Sequence, residues 1–511
     1  MSVQFLRKNL DVAGLVSATG RQSELTPQRS VKPASSASAT LEKLKVDKVR
    51  WVQLFYTDVL GGFNQVSVPA ATIEDDSFVT GIPKLDGSSV RGFREIYDSD
   101  MNLVPDPATL ATVPWDPDVG TTVRFICDVR VGGSKEPYPH DPRWVARKTE
   151  QVLAAAGFDR SYWGPEVEFF VFDSIDLIPS AAGVRDAWAG SGYLVHHSEA
   201  PWHTGPVQDL VRFKEGYHRA PPYDSLLPLR AEMCNILADD FHLTIDAHHH
   251  EVATASQSEI NIRFDELVPM ADHIQDLRYV IRNVAARHGR IACLMPKPIY
   301  GDNAIGMHVN QSLWSKGKSA FFDASDPYAE LSQTCRYYVG GLLEHSRAMC
   351  AITNPITNSY RRLVPGYEAP VFIAWSKANR SANVRIPFYH KGRPAAKRVE
   401  YRTPDPSANI YLTEAALALA GLDGIRRKIE PPPPVDENIY KLTPAKRKAL
   451  QVRELPGSLS EALDCLESDR DFLKPAFASS LLDVYIEMKR EEQLELNLRP
   501  HPYEFYRYMD V

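Results

Sequence analysis

The chain has 511 residues, a net charge of −7, 44% hydrophobic and 24% charged residues, and six cysteines. Its length predicts two or three domains, and its composition is typical of a globular protein. The negative charge excludes the basic surface of a nucleic-acid-binding protein, and no apolar run approaches the roughly 20 residues of a membrane span. Because the cysteines show no CxxC spacing, we expect reduced thiols in a cytoplasmic protein, without disulfides or a zinc site.

The first 45 residues differ from the rest of the chain. Residues 20–40 are rich in Ser, Thr, Pro, Gln and Ala, a composition that cannot supply a core. The segment 1–45 is therefore predicted to be a flexible tail. A transit peptide is the alternative, since basic residues outnumber acidic ones there, but Asp11 and Glu24 weaken it.

Residues 46–140 are predicted to form a small, mostly β domain. Apolar residues alternate between Val46 and Val68 around a Leu-Gly-Gly turn, which indicates a hairpin, and residues 123–131 are typical of a further strand. The segment 85–101 lacks periodicity and predicts a loop. Asp86 and Asp100 are ordinary polar loop residues there, unless another part of the chain recruits them.

A helix is predicted from Asp141-Pro142 to about Ala156, and the apolar strand GPEVEFFVFD (164–173) follows it. Glu166 and Glu168 lie two residues apart on this strand, so both carboxylates project to the same side. Such a pair is most often a solvated sheet edge. On an apolar strand the two charges repel unless a cation lies between them.

A second acidic pair follows the histidine run 248–250. Glu251 precedes a turn, and beyond it Glu259 and Asn261 alternate with apolar residues. If the turn centres on Ala255, the two glutamates lie opposite each other across a hairpin, and they too require a cation. The three histidines cannot all face one way on a strand, so we expect one or two of them to have a role.

A histidine and several arginines complete the set. His308 follows a Gly/Asn turn and is either a core histidine or a ligand. Glu400 and Arg402 are two residues apart in a strand-like segment. The arginines in 361–385 alternate with apolar residues, so some of them must face inward and be paired with acidic groups. Carboxylates with at most one imidazole suit Mg²⁺ or Mn²⁺, and Mg²⁺ with guanidinium groups serves phosphoryl transfer. Neither GxxxxGK[ST] nor GxGxxG occurs. The residues alone therefore predict a Mg-dependent phosphoryl-transfer enzyme and nothing finer.

Six sequence motifs occur along the chain in this order: GPEVEFFVFD, HHHEVATASQSE, GDNAIGMH, RRLVPGYEAP, KANRSANVRIP and RVEYRTPDPSAN. In their order and spacing they resemble the type I glutamine synthetase family, and the resemblance covers residues 46–511. The resemblance implies an α+β fold with a β-grasp domain at 46–140 and a catalytic domain at 141–511, the latter a curved antiparallel sheet with helices. It also implies a cytoplasmic homododecamer of two stacked hexameric rings with active sites between neighbouring subunits.

The reaction that the resemblance implies is ATP-dependent ligation of ammonia to L-glutamate through γ-glutamyl phosphate, with two or more Mg²⁺ or Mn²⁺ ions per site. One metal would be held by Glu168, Glu251 and Glu259, and the other by Glu166, His308 and Glu400. Glutamate would contact Asn303, Ala304, Arg362 and Arg402, and ATP would contact Asp246, Ser312, Arg385 and Arg398. Arg380, with Arg362, would bind glutamate's carboxylate and the moving phosphoryl group. Ammonium would be bound and deprotonated by Glu368, on the flap Pro365–Ala369, and by Asp86 of the neighbouring subunit's loop.

The chain departs from the family pattern in two places. Ala304 and Ile305 replace a glycine and a serine near glutamate, where glycine permits close backbone approach. Near the nucleotide, Asn310, Asp246 and Ala395 replace a histidine, a glutamate and a lysine, which predicts altered nucleotide affinity. Tyr440 aligns with a tyrosine that some members have adenylylated. Two alternatives stay open: a γ-glutamyl-amine ligase that acts on an organic amine, and a non-catalytic family member.

Overall fold

A computed structural model describes residues 36–93, 99–115, 117–178, 192–205, 209–387 and 391–511. Its first element is helix α1 (Ala37–Val46), which the side chain of Ser36 caps by accepting from the N–H of Ala39. This helix corrects the prediction of a flexible tail for residues 37–45. Residues 1–35, to which the rest of that prediction applies, lie outside the described residues.

The N-terminal sheet has six strands in the described part of the chain, in the order β2-β1-β6-β4-β3 with β5 beside β6. The strands are β1 (Trp51–Thr57), β2 (Phe63–Pro69), β3 (Ile82–Asp86), β4 (Asp100–Pro105), β5 (Ala111–Thr112) and β6 (Thr122–Val131). The predicted hairpin is confirmed, because β1 and β2 pair antiparallel from Thr57–Phe63 outward. The parallel pairing of β1 with β6 places the first and last strands side by side at the centre.

The second sheet has nine strands among the described residues, in the order β10-β11-β7-β13-β18-β17-β16, with β12 beside β7 and β14 beside β13. Its members are β7 (Arg160–Phe172), β10 (Ile245–His250), β11 (Ser258–Ile262), β12 (Ile291–Cys293), β13 (Met307–Ser315), β14 (Lys318–Ser319), β16 (Trp375–Lys377), β17 (Val384–Ile386) and β18 (Val399–Tyr401). Two small pairs stand apart: β8 (Ser174–Ile178) with β9 (Gly192–His196), and β15 (Phe372–Ile373) with β19 (Arg453–Glu454). The long strand β7 is the apolar carboxylate strand of the sequence.

The remaining helices of the described residues follow or alternate with these strands along the chain, and several of them pack on the second sheet. They are α2 (Pro142–Ala155), α3 (Leu227–Asp239), α4 (Leu267–Arg287), α5 (Gln333–Glu344), α6 (Ser346–Thr353), α7 (Ser359–Arg362), α8 (Ile410–Arg427), α9 (Pro444–Ala449), α10 (Leu459–Ser468), α11 (Ser479–Asn497) and α12 (Pro502–Tyr508). The predicted start of α2 is confirmed, with Asp141 as cap and proline in the first turn. Nearly all of α8 is buried, so it is the central helix of the core. No helix in the described ranges has the length and apolar content needed to cross a membrane.

Buried charge joins the N-terminal sheet to the helices. The Arg143 guanidinium, 2% exposed, donates to both carboxylate oxygens of Asp272 at 2.9 and 2.8 Å, and also reaches Asp106 and Asp128 of the N-terminal sheet. Burial raises the pKa of Asp141, the cap of the same helix, to about 7, and the nearby charge of Asp128 adds to that effect. The boundary between 46–140 and 141–511 stays a prediction.

Candidate active site

A cavity of about 1130 Å³ lies over the second sheet. Sixteen of the seventeen predicted site residues line it: Glu166, Glu168, Asp246, Glu251, Glu259, Asn303, Ala304, His308, Ser312, Arg362, Glu368, Arg380, Arg385, Arg398, Glu400 and Arg402. They come from β7, β10, β11, β13, β17, β18 and the loops between them. Sheet pairing therefore brings together residues that lie more than 200 positions apart in the sequence.

One acidic group forms where β7, β13 and β18 lie side by side. Glu166 and His308 are direct partners across β7 and β13, and Glu400 is the partner of Asn310 across β13 and β18. The Nδ1 atom of His308 lies 3.6 Å from Glu166 Oε2 and 4.0 Å from Glu400 Oε1. One ligand atom from each of the three lies within 4.8 Å of the others, which is close enough to share one metal ion. This group is one of the two predicted metal sets.

The second acidic group corrects the predicted hairpin register. Across β10 and β11 the partner of Glu259 is His249, so the pairing centres on Thr254 and not on Ala255. Glu251 lies just beyond the strand, and its N–H donates to the carbonyl of Gln257 at 2.7 Å. His249, Glu251 and Glu259 each place one ligand atom within 4.8 Å of the others. His249 is thus the histidine of the 248–250 run that reaches the site.

Glu168 approaches this second group from the neighbouring strand. It is the direct partner of Glu259 across β7 and β11. Its Oε2 accepts from Gln257 Nε2 at 2.9 Å and from the N–H of Gly306 at 3.0 Å. Glu168 and Glu259 are 8% and 7% exposed. The alternative of a solvated sheet edge is therefore wrong for this strand.

Burial and mutual repulsion shift the pKa values of these carboxyl groups. Burial raises the pKa of Glu168 to about 7, and burial together with the charge of Glu168 raises the pKa of Glu251 to about 8. Burial, then the charges of Glu166, Glu168 and Glu251, raises the pKa of Glu259 well above its usual range. Such crowding requires protons or a cation to compensate it. Oxygen donors with one imidazole in each group fit Mg²⁺ or Mn²⁺.

Several arginines line the same cavity, beside the first acidic group. Arg402 Nη1 lies 2.6 Å from Glu400 Oε1, and Arg385 binds the other oxygen of the same carboxylate. Burial raises the pKa of Glu400, but the charges of Arg402, His308 and Arg385 together outweigh it, so that this pKa lies below its usual value. Arg398 Nε donates to Asn310 Oδ1 at 2.9 Å, and Asn310 Nδ2 donates to Glu166 at 2.9 Å. Arg385 and Arg402 therefore bind Glu400 directly, whereas Arg398 is linked to Glu166 through Asn310.

The loop 303–306 closes the end of the cavity near Arg362. A Cβ atom on Gly306 would lie 2.8 Å from Arg362 Nη2 and 3.0 Å from His308 Nε2, so a larger residue here would displace one of these two site side chains. Asn303 is buried, and its Oδ1 has no hydrogen-bond partner within the described residues. A buried, unsatisfied acceptor that lines a cavity fits a residue whose partner is a ligand.

The remaining predicted residues have different surroundings. Asp246 is bound by both Nε and Nη2 of Arg263, at 2.9 and 2.7 Å, and Ser312 Oγ accepts from Trp314 at 3.1 Å. Asp86 is the one predicted site residue that does not line the cavity. It is exposed at the end of β3, where its carboxylate accepts from the N–H and hydroxyl of Ser88 at 2.9 and 2.7 Å.

Several residues of the cavity were not predicted from the sequence. Gln257 holds Glu168, and Asn261 donates to Glu259 Oε1 at 2.6 Å. Glu259 and Asn261 are two residues apart on a strand and therefore share one face, so their spacing could have indicated that Asn261 lies in the cavity. Lys214 and Tyr367 also line the cavity, and no periodicity marks either of them.

Two oxygen-rich groups that could each hold a cation, together with several arginines in the same cavity, define a metal-dependent enzyme of phosphoryl transfer. Residues 48–131 match the family described as "Glutamine synthetase, beta-Grasp domain", and residues 139–508 match "Glutamine synthetase, catalytic domain". The chain belongs to the glutamine synthetase family, and its fold is the predicted α+β pair of domains.

Relatives agree with that assignment along the whole chain. A glutamine synthetase of Sulfolobus acidocaldarius is 51% identical over 471 residues, which are 92% of this chain and 98% of the relative. A glutamine synthetase structure from Plasmodium falciparum has a TM-score of 0.83 at 26% identity, and the match covers 93% of this chain and 98% of that one. A structure named GmaS/ADP complex has a TM-score of 0.76 at 27% identity, with 92% and 99% covered. The chain is an ATP-dependent glutamate–ammonia ligase that uses a divalent metal.

Proposed function

We propose that the cavity makes glutamine in two steps, with the residue roles that the resemblance implies. The observation that carries the proposal is one cavity that brings two acidic groups together with Arg385, Arg398 and Arg402. In the first step, the side-chain carboxylate of glutamate attacks the γ-phosphorus of ATP in line. The P–O bond to ADP breaks, and γ-glutamyl phosphate forms. Arg362 and Arg380 would bind glutamate's carboxylate and the moving phosphoryl group, and Arg385 and Arg398 the phosphates of ATP.

In the second step, ammonium loses a proton and its nitrogen attacks the acyl carbon, which displaces inorganic phosphate. Glu368 on the flap and Asp86 from another copy of the chain would bind the ammonium ion and accept protons. Glu368 lines the cavity beside Glu251, whose pKa its charge helps to raise. Closure of the flap over the acyl phosphate would exclude water, which otherwise hydrolyses it.

We propose two Mg²⁺ or Mn²⁺ ions per site. Glu166, His308 and Glu400 would hold one ion, and Glu168, Glu251 and Glu259 the other, with His249 close enough to join the second set. The ions would neutralise charge on the γ-phosphate and thereby favour attack on it. The name of the structural relative GmaS/ADP complex includes a nucleotide, which supports a nucleotide as a ligand of this chain.

We also propose the cytoplasmic homododecamer of two hexameric rings. Asp86 lies outside the cavity of its own chain, so a role in the reaction requires a neighbouring copy whose β3 end reaches the cavity mouth. All six cysteines are free, which supports a reducing compartment.

The experiment that tests this function compares acceptors. Phosphate release and glutamine formation are measured with ATP, Mg²⁺ and glutamate, first with ammonium and then with a panel of organic amines. We expect ammonium to be the preferred acceptor, and Glu368→Gln to lower glutamine formation by at least about 100-fold, the usual contribution of a general base. The control is Asp75→Asn, which changes an exposed carboxylate of the N-terminal domain that has no predicted role, and it is expected to keep full activity.

The other results identify the alternatives. Turnover with an organic amine but not with ammonium would move the function to a γ-glutamyl-amine ligase. No turnover with any acceptor, in protein whose assembly has been verified, would indicate a non-catalytic family member.

A further inference from the structure

The flap 365–369 has a strained backbone. Glu368 has a φ of 61°, a left-handed conformation that non-glycine residues rarely adopt, and Gly366 has a φ of 95°. Glu368 is itself exposed at the cavity. A strained residue persists only where surrounding contacts enforce its conformation. The contacts that hold this flap are therefore part of how Glu368 is placed.

Two lysines hold the middle of the flap by its aromatic ring. The ammonium group of Lys297 lies 3.9 Å from the ring centroid of Tyr367, and that of Lys214 lies 4.4 Å from the same centroid. Both distances are within the range of cation–π attraction. Lys214 also donates to the carbonyl of Gly366 at 3.0 Å. The flap is thus held at Gly366 and Tyr367 by lysines that belong to other loops.

The two lysines are themselves fixed by one buried residue. Asp302 is fully buried, and its carboxylate accepts from the N–H groups of Lys214 at 2.9 Å and Thr254 at 2.8 Å. The backbone carbonyl of Asp302 accepts from the ammonium group of Lys297. Burial, with the nearby charge of Lys214, lowers the pKa of Lys297 to about 8 despite the opposing charge of Asp302. Asp302 therefore binds the backbone of Lys214 and the ammonium group of Lys297, next to the Asn303 and Glu251 loops.

The far end of the flap has a separate anchor. The hydroxyl of Tyr440 donates to the carbonyl of Ala369 at 2.5 Å, and the tyrosine is partly buried. This hydrogen bond fixes the end of the flap separately from the two lysines.

We propose that Tyr367, Lys214 and Lys297 form a latch that keeps the flap closed and so positions Glu368. The three are positioning residues, because they act on the flap and not on the reacting atoms. The inference rests on the proposed function, in which the closed flap protects γ-glutamyl phosphate from water. Loss of the latch lets the flap open while the acyl phosphate is present, so that ATP is consumed without formation of glutamine.

The test measures the ratio of phosphate released to glutamine formed. We expect a ratio near one for the unaltered chain, and for Tyr367→Leu a roughly 5-fold rise in the fraction of turnovers that yield phosphate alone, because the cation–π contacts are lost. Tyr367→Phe keeps the ring face and is expected to restore most of the coupling. Tyr300→Leu, at a 92% exposed tyrosine near the same loops, is the matched control with an unchanged ratio.

A second readout does not depend on turnover. Amide hydrogen exchange at residues 364–369, measured in assembled protein without substrates, should be faster in Tyr367→Leu and in Lys297→Gln than in the unaltered chain. Lys297→Arg, which retains a cation, should remain close to the unaltered chain.

The outcomes separate the latch from the function itself. If the unaltered chain makes no glutamine, the proposed function fails. If it makes glutamine with a ratio near one and Tyr367→Leu leaves both the ratio and the exchange of the flap unchanged, the latch alone is overturned. Equal damage from Tyr367→Phe and Tyr367→Leu would overturn the cation–π basis of the latch.

Discussion

At the scale of single residues, the carboxylates of the site differ in what stabilises them. Glu400 lies between Arg385 and Arg402, and its pKa is below the usual value. Glu168 and Glu259, on strands β7 and β11 of the same sheet, are buried beside other acids and have raised pKa values. The acidic groups therefore need more positive charge than the protein supplies, which a bound cation provides.

Substitution of Gln257, which is not a predicted metal ligand, tests whether the acidic groups bind a cation. It donates to Glu168 Oε2 at 2.9 Å and to the carbonyl of Ala304 at 3.1 Å. Partners that orient metal ligands are typically worth 10- to 100-fold in metal affinity, so we expect Gln257→Leu to weaken Mn²⁺ binding by about 10-fold or more. Electron paramagnetic resonance of free Mn²⁺ measures this. Gln493→Leu, on the exposed part of α11, is the control, and equal affinity in the two variants would contradict the prediction.

The residue types were predictable, whereas one register was not. Period-two spacing on β7 placed Glu166 and Glu168 on one face, and the structure lines the cavity with both. The turn that precedes Glu259 contains Ala255 and Ser256 with φ of 54° and 57°. The register of a hairpin is set by its turn geometry and loop length, which alternation alone does not give, and here the partner of Glu259 is His249. Burial of Asp302 and Gln257 depends on loops from distant parts of the chain, and no local pattern indicates it.

At the scale of elements, α5 and α8 cross closely enough to exclude side chains. A Cβ atom on Gly341 would lie 2.1 Å from the carbonyl oxygen of Ala420 and 2.8 Å from the Cα of Gly424. A Cβ on Gly421 would lie 2.0 Å from the ring of Tyr338. Sequence patterns predict helices but not crossing distances, so this feature was visible only in the structure.

Substitution of Gly341 tests that crossing. Because the obstructing atoms belong to backbone, Gly341→Ala must separate two core helices, and we expect a loss of about 1–3 kcal/mol or more in the free energy of unfolding. The measurement is the midpoint of thermal unfolding, at equal protein concentration because assembly also contributes. At Gly457 an added Cβ would approach only Glu461, at 3.7 Å, so Gly457→Ala should not lower the midpoint. A midpoint for Gly341→Ala equal to that control would show that the helices can move apart freely.

The junction of α5 and α6 depends on a buried histidine. His345 lies 2.9 Å from Asp423 and 2.8 Å from Asp469 through its two ring nitrogens. Burial lowers the pKa of His345, but the hydrogen bonds and charges of Asp469 and Asp423 outweigh it, so the pKa lies above 6.5. A raised pKa means that the folded state binds the proton more tightly than the unfolded state. Its stabilisation is therefore complete below about pH 6.5 and is lost as pH rises through the folded pKa.

We expect His345→Gln to lower the thermal midpoint at about pH 6 and to lower it much less above the folded pKa. Midpoints measured across this range, with His501→Gln as an exposed control, report the difference. A destabilisation that does not change with pH would mean that packing against Phe472, whose ring lies 4.1 Å from the imidazole, accounts for the role of His345.

At the scale of the whole molecule, one predicted site residue, Asp86, is missing from the lining of the cavity. Asp86 is exposed on the N-terminal sheet and does not line the cavity of its own chain. Assembly cannot be read from hydrophobic periodicity, because it depends on which surfaces of two folded copies fit together. Only the family resemblance predicted that a neighbouring copy supplies this residue.

Mixed assemblies test that prediction directly. Asp86→Ala and Glu368→Gln should each be nearly inactive alone, since every site then lacks one proton acceptor. When the two variants are dissociated, mixed in equal amounts and reassembled, a site that takes Asp86 from one copy and Glu368 from its neighbour is intact in roughly a quarter of cases. Glutamine formation should therefore recover to about a quarter of the unaltered rate, while each variant reassembled alone stays inactive. If mixing restores nothing although size-exclusion chromatography and mass spectrometry verify mixed assemblies, both residues must act within one copy. The exposed position of Asp86 would then have to change on substrate binding.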